Sequence, residues 1–278
     1  MDTTLDVRAA AVAGIFYPRE SGELGRTIQA MFADAAGANA WLGPPKALIV
    51  PHAGYIYSGP IAASAYAPLS RLRGIIQRVV LLGPAHYVPV SGLALPGAAA
   101  FDTPLGRVPV DGEAAERLRP LAAVTTNPEA HAREHSLEVQ LPFLQQTLGT
   151  FQLVPLAVGR ASAEAVAEAI ETLWGGLETL IVVSSDLSHY LPYDRAQQLD
   201  RRTCASISDL ELLASHEQAC GATAVNGLLL AARRHRLTPH LMDLRNSGDT
   251  AGDHDRVVGY AAFAFVQEGP HDASAHEH

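Results

Sequence analysis

Apolar residues occur in short unbroken runs, separated by longer stretches of mixed polarity. Ala47–Val50, Val79–Leu82, Phe151–Val158 and Leu180–Val183 contain no charged residue. Runs of this length, rich in β-branched residues, read as strands buried on both faces, the habit of parallel sheets covered by helices. Between them the period becomes helical. Leu24, Ile28, Met31 and Phe32 follow a Ser21 cap and predict a helix to about Ala36. A turn at Ser58-Gly59-Pro60 leads into a small-residue helix to about Leu69, with Pro60 suited to its first turn. Further helices are predicted near 112–119, 136–148 and 162–174, then two amphipathic segments at about 193–206 and 209–215, and a helix from Cys220 to about His235. Thr103-Pro104-Leu105-Gly106, between alternating residues, predicts a hairpin over 101–110 beside the main sheet. Two last strands, near 240–245 and 257–266, flank the Gly- and Asp-rich loop Asn246–Asp255. Strand and helix alternate with short connections, which predicts an α/β fold with helices on both faces of one mostly parallel sheet. No repeat or linker marks a boundary, so one domain is expected over 1–268, with a polar, disordered tail at 269–278.

Composition narrows the partners. The chain has 278 residues, 48% hydrophobic and 18% charged, enough for a large core. Its net charge is −9 and its only lysine is Lys46, so no Lys-rich tract exists to bind nucleic acid or anionic lipid. No signal-peptide pattern and no bilayer-length apolar stretch is seen, and a cytoplasmic protein is expected. Two cysteines, Cys204 and Cys220, cannot form a disulfide framework for a chain of this size.

The chemistry gathers where apolar runs break off. Ala47–Val50 leads to Pro51-His52, Val79–Gly83 to Pro84-Ala85-His86, and Leu180–Val183 to Ser184-Ser185-Asp186-Leu187-Ser188-His189. Ligands of open α/β sheets bind beyond the carboxyl ends of the strands, so these histidines are placed to converge on a metal or to act as a base. Each alone reads more readily as a surface histidine bonded to backbone; His52 and His86, in equivalent positions after neighbouring strands, reverse that and favour a shared role. Asp186, three residues before His189, can orient that ring and raise its basicity, or cap a helical turn. Cys220 stands at the start of a predicted helix, where the thiolate is favoured, whereas Cys204 falls within a helix and reads as structural. His135 and Glu138, three apart, could face one side as metal or outer-shell groups. The simpler account has Ser136 capping the helix with Glu138 in its first turn, and His131 is a weaker version of the same case. No Gly-x-Ser-x-Gly elbow and no phosphate loop appears.

Several of these segments together resemble the MEMO (mediator of cell motility) family. They are Ala13-Gly14-Ile15-Phe16-Tyr17-Pro18, Pro51-His52-Ala53-Gly54-Tyr55-Ile56-Tyr57-Ser58-Gly59, Gly83-Pro84-Ala85-His86, Glu134-His135-Ser136-Leu137-Glu138, Ser184–Tyr190, Cys220-Gly221 and Asn246-Ser247-Gly248-Asp249. The resemblance runs from Ala13 to Ala264. It implies a single three-layer α/β domain similar to the class III extradiol dioxygenases. It also implies His52, His86 and Cys220 as metal ligands and His189, with Asp186, in the place of the catalytic histidine; His135 and Glu138 would stand in the outer shell. Where those dioxygenases use two histidines and a carboxylate, this chain offers a thiol, which is softer and oxidisable. Iron(II) is the first expectation for the metal, with copper or zinc as alternatives. The expected function is a metal-binding redox or dioxygenase-like role on an unknown substrate. Its rivals are a non-catalytic binding module for a peptide or small molecule, and a zinc hydrolase in which Asp186 or Glu138 activates water. Likeness to component B of the AmmeMemoRadiSam set implies AMMECR-type and radical-SAM proteins as partners.

Overall fold

A computed structural model describes residues 6–35 and 43–267; the expected disordered tail lies outside the described residues. The chain begins with β1 (Val7–Arg8), α1 (Ser21–Ala35), β2 (Pro45–Val50), α2 (Tyr55–Tyr66), β3 (Arg78–Pro84), β4 (Leu93–Leu95), β5 (Ala100–Thr103) and β6 (Gly106–Pro109). It continues through α3 (Gly112–Leu118), β7 (Val124–Thr126), α4 (Pro128–Ala132), α5 (His135–Glu138), α6 (Leu141–Leu148) and β8 (Gln152–Val158). The last third holds α7 (Ala163–Thr172), β9 (Thr179–Ser184), β10 (His189–Leu191), α8 (Tyr193–Ser208), α9 (Ala222–His235), β11 (Leu237–Asn246) and β12 (Val257–Gln267).

The unbroken apolar runs form the centre of a nine-stranded sheet ordered β10-β12-β2-β9-β3-β8-β4-β7, with β11 paired along β12 from Gly259 to Gln267. The neighbours β2, β9, β3 and β8 are all parallel. The flanks are antiparallel, β12 against β2 and β4 against β8. Alternate residues of the central strands face opposite ways. Leu48, Val50, Leu81 and Val182 pack beneath α1, α2 and α6, while Ala47, Ile49, Leu82 and Val183 pack beneath α7 and α9. Full burial of each such side chain is worth about 1.5–3 kcal/mol, which is why these runs tolerate no polar residue. The predicted hairpin forms from β5 and β6, and β1 joins it as a three-stranded sheet.

Four local expectations change. The turn at Ser58–Pro60 lies inside α2, which starts at Tyr55 because the Tyr55 N–H finds the Phe16 carbonyl at 2.7 Å and the chain bends earlier, at Gly54. The helix predicted over 136–148 is two helices, since Pro142 cannot donate to the Glu138 carbonyl. Residues 211–215 are not helical: the Asn226 side chain takes both the N–H (2.7 Å) and the carbonyl (2.9 Å) of Leu213, and holds the segment as a strap. Finally, α9 opens at Ala222 rather than Cys220. Among the described residues no helix is long and apolar enough to cross a membrane.

Candidate metal centre

Parallel register brings the carboxyl ends of β2, β9 and β3 level, with Val50 opposite Ser184 and Leu82 opposite Val183. The loops after them carry His52, Asp186 and His86 to one place, and their rings follow from local hydrogen bonds. Ser184 Oγ has a single proton and gives it to the Ser136 carbonyl (2.7 Å), while it accepts from Gln140 Nε2 (2.8 Å). His52 Nδ1, 2.9 Å from the same oxygen, must therefore be the donor, which leaves Nε2 as a bare lone pair. His86 Nδ1 donates to Glu134 Oε1 (2.8 Å), and the His86 N–H donates to Glu134 Oε2 (2.6 Å), so Nε2 is the ring nitrogen that His86 has left to offer a ligand. Burial, with His86 and His135 nearby, holds the His52 pKa well below 6.5 and keeps it neutral. Burial alone would raise the Glu134 carboxyl, yet the hydrogen bonds from His86 and Ser136 hold it down at about 2. A carboxylate behind a histidine is the usual support of a metal ligand.

Cys220 completes the cluster from the opposite side of the chain. Its N–H donates to the Asp186 carbonyl (3.2 Å), its Sγ accepts from the Asp186 N–H (3.3 Å), and its Sγ lies 3.3 Å from His52 Nε2. The next residue must be small: a Cβ at Gly221 would lie 2.7 Å from Ser185 Cβ. Ligand atoms of His52, His86 and Cys220 all lie within 4.8 Å of one another. An ion bound at about 2.0 Å to nitrogen and 2.3 Å to sulfur would need N and S roughly 3.5 Å apart, so the donors fit one transition-metal ion. The expectation of a thiolate favoured by a helix start is corrected. Burial, reinforced by Asp186, pushes the Cys220 thiol up to about 12, and burial does the same to Cys204. A cation between the ligands reverses this, because a coordinating thiol is deprotonated outright.

His52, His86, Asp186 and His189 line one cavity of about 610 Å³, walled by Phe16, Tyr57 and Tyr260. Asp186 caps no helix: its Oδ1 accepts the His52 N–H (2.7 Å), and burial raises its pKa despite that bond. His189 sits at a β-bulge between β10 and β12, and the next residue, Tyr190, has φ +57°. Bulges re-aim side chains. Here the bulge puts His189 and Tyr190 on the same cavity wall. Buried Asp200, not anticipated from the sequence, accepts the Ser188 N–H (3.0 Å) and fixes this loop. Burial raises the Asp200 pKa from 3.8 to about 6, against the pull of the Ser188 bond. Between those two values the folded protein holds more protons than the unfolded chain, so this group's contribution to stability falls as pH rises through about 4 to 6. Asp200→Asn is expected to flatten that decline in urea melts at stepped pH; an unchanged slope would contradict the assignment.

The segment 131–138 departs most from expectation. Glu134, not Ser136, caps α5, through its carboxylate on the Ser136 N–H. His135 faces the cavity, stacked on His86 with centroids 4.7 Å apart, and its buried Nδ1 has no hydrogen-bond partner among the described residues. Glu138 turns away from the cluster. It binds the Arg8 guanidinium, the Tyr17 hydroxyl (2.5 Å) and the N–H groups of Ala11 (2.8 Å) and Val12 (3.0 Å). Rather than an outer-shell ligand partner, it anchors the N-terminal segment. His131 is buried, with Nε2 on the Ala94 carbonyl at 2.7 Å.

The sequence matches the profile of the family described as Memo-like protein over residues 8–264. A MEMO1 family protein of Ignicoccus hospitalis is 38% identical over 287 residues, covering 93% of this chain and 98% of that one. One from Aquifex aeolicus is 35% identical over 273 residues, covering 94% and 99%. An uncharacterized protein of Escherichia coli K12 has a similar fold, with TM-score 0.50 at 16% identity, over 78% of this chain and 98% of that one. With a profile match and relatives of this identity both spanning nearly its whole length, the chain belongs to the Memo-like family.

Proposed function

We propose that this protein holds one transition-metal ion, iron(II) in the first instance, through His52 Nε2, His86 Nε2 and Cys220 Sγ, and uses it for redox chemistry on a small molecule. The observation that carries this reading is that both imidazoles have Nδ1 committed to fixed partners, while His52 Nε2 lies 3.3 Å from Cys220 Sγ and the donor atoms of His52, His86 and Cys220 all lie within 4.8 Å of one another. Bound there, the ion would supply Lewis acidity and a redox couple. The protein's own residues do the rest. Asp186 keeps the His52 and Cys220 backbones in place, and Glu134 keeps the His86 ring from rotating. Among the described residues neither ring nitrogen of His189 has a hydrogen-bond partner, so that ring is free to take a proton from a substrate hydroxyl in the cavity. Aromatic walls at Phe16, Tyr57 and Tyr260 suit a planar substrate.

The thiol sets a limit on this chemistry. A thiolate beside an oxidising centre is itself attacked, so sustained ring opening of simple catechols is expected to be slow or absent and to inactivate the protein. The test is elemental analysis of anaerobically purified protein, followed by oxygen uptake with catechol in the iron(II)-loaded wild type, in Cys220→Glu and in His189→Ala. Rapid, durable ring opening by the wild type, abolished in His189→Ala, would overturn the limit and make the protein a true extradiol dioxygenase. Stoichiometric zinc with no redox-active metal would overturn the redox reading.

A further inference from the structure

Cys220 does not line the cavity that holds His189. It lines a second one, of about 660 Å³, which shares only His86 with the first. The polar groups of this second cavity, open to solvent at Ser91, Arg160 and His216, include a cation and no anion. Arg160, His216, Ser91 and Thr223 face it together with His86 and Cys220, and no carboxylate does, in a chain whose net charge is −9. Among the described residues the Arg160 guanidinium has neither an acidic partner nor a hydrogen bond. Its backbone is nonetheless fixed, since its N–H donates to the Val90 carbonyl (2.8 Å) and its carbonyl accepts from the Gly92 N–H (2.9 Å). The opposite wall is fixed too: the His216 ring spans from the Cys220 carbonyl (3.0 Å) to the Thr223 hydroxyl (3.2 Å).

An acid-free surface with an unpaired guanidinium attracts small anions, because no neighbouring carboxylate offsets the field of the fixed charge. Arg also offers paired donors that match the two oxygens of a carboxylate or phosphate group. We propose that this second cavity binds a small oxyanion, a carboxylate or phosphate group, which reaches His86 and Cys220 by a route separate from the cavity that holds His189. The proposal rests on the metal-centre reading for its consequence only: the anion would stand beside two of the three ligands, where a co-substrate or an inhibitor could control the metal without displacing the molecule in the first cavity.

The test uses the full chain, metal-free, and reads alkylation of the Cys220 peptide by mass spectrometry. The quantity is the rate with anionic iodoacetate divided by the rate with neutral iodoacetamide, compared with the same ratio for N-acetylcysteine; the ratio cancels the thiolate fraction. In the wild type it is expected to exceed the free-thiol ratio on the order of tenfold. Arg160→Gln should bring it close to the free-thiol value, Arg160→Lys should restore part of it, and Arg256→Gln, in the first cavity, should leave it unchanged. Inorganic phosphate or acetate should slow carboxymethylation more than sodium chloride at equal ionic strength, and the stronger of the two names the preferred oxyanion. A wild-type ratio equal to that of N-acetylcysteine would overturn the proposal, as would a ratio that responds to Arg256→Gln and not to Arg160→Gln. Neither result would touch the metal reading. Conversely, protein that binds no metal would sink that reading and leave the anion site standing.

Discussion

Glu138→Ala is expected to destabilise the protein by about 3–5 kcal/mol, the cost of leaving one partner of a buried ion pair unmatched. Glu138 is fully buried and Arg8 is 7% exposed. The carboxylate also satisfies the Tyr17 hydroxyl and the N–H groups of Ala11 and Val12, and all of these would be orphaned together. The consequence reaches the metal centre through Arg8. That guanidinium donates to the carbonyls of His131 (3.0 Å) and Glu134 (2.7 Å), and so orders the segment whose Glu134 side chain grips His86. Glu138→Ala should therefore weaken metal binding although Glu138 touches no ligand. Glu138→Gln, which keeps an acceptor for Tyr17 and the backbone, should lose less of both. Urea midpoints and chelator competition measure the two effects. A loss of stability under about 1 kcal/mol, or normal metal affinity in a folded Glu138→Ala protein, would show that the anchor and the centre are uncoupled.

His86→Ala is expected to lower metal affinity by a few hundredfold while the protein stays folded. Three ligands share a binding free energy of order 10 kcal/mol, so removing one forfeits roughly 3 kcal/mol. His86 lies in the loop after β3 and is exposed, so little core is lost with it. Glu134→Gln should cost less, about 10–100-fold, because it leaves the ligand in place and weakens only its support. Anaerobic metal titration with a competing chelator ranks the variants. If Glu134→Gln proved as severe as His86→Ala, Glu134 would be a ligand itself. That outcome has a structural basis, since Glu134 and His135 form a second close-set donor group with His86.

The strand ends legible in the sequence are those whose two faces are both buried. Ala47–Val50, Val79–Leu82 and Leu180–Val183 have no polar alternative to a central position, and so the pattern of the chain suffices to place the histidines that follow them at the carboxyl edge of the sheet. The short strands β4, β7 and β10 gave no such signal, because three residues carry too little periodicity to be distinguished from loop.

Local sequence also could not say which of two carboxylates, Glu134 or Glu138, supports the centre. They lie four residues apart in one polar run, and the choice depends on partners more than forty residues away: His86 for one, Arg8 and Tyr17 for the other. The same holds for Cys220. Its place at a helix start suggested a lowered pKa, a judgement made from one element, whereas the thiol's burial against Asp186 and Ser185 comes from the packing of α9 on the end of β9. The sequence alone determined the α/β architecture, the family and the edge of the sheet where the chemistry gathers, because burial on two faces and motif order are local properties of the chain. Tertiary structure alone decided the tautomer of His52, the bond between His86 and Glu134, the outward turn of Glu138 and the second cavity beside Cys220, because each depends on hydrogen bonds and cavities formed between segments that meet only in the folded chain.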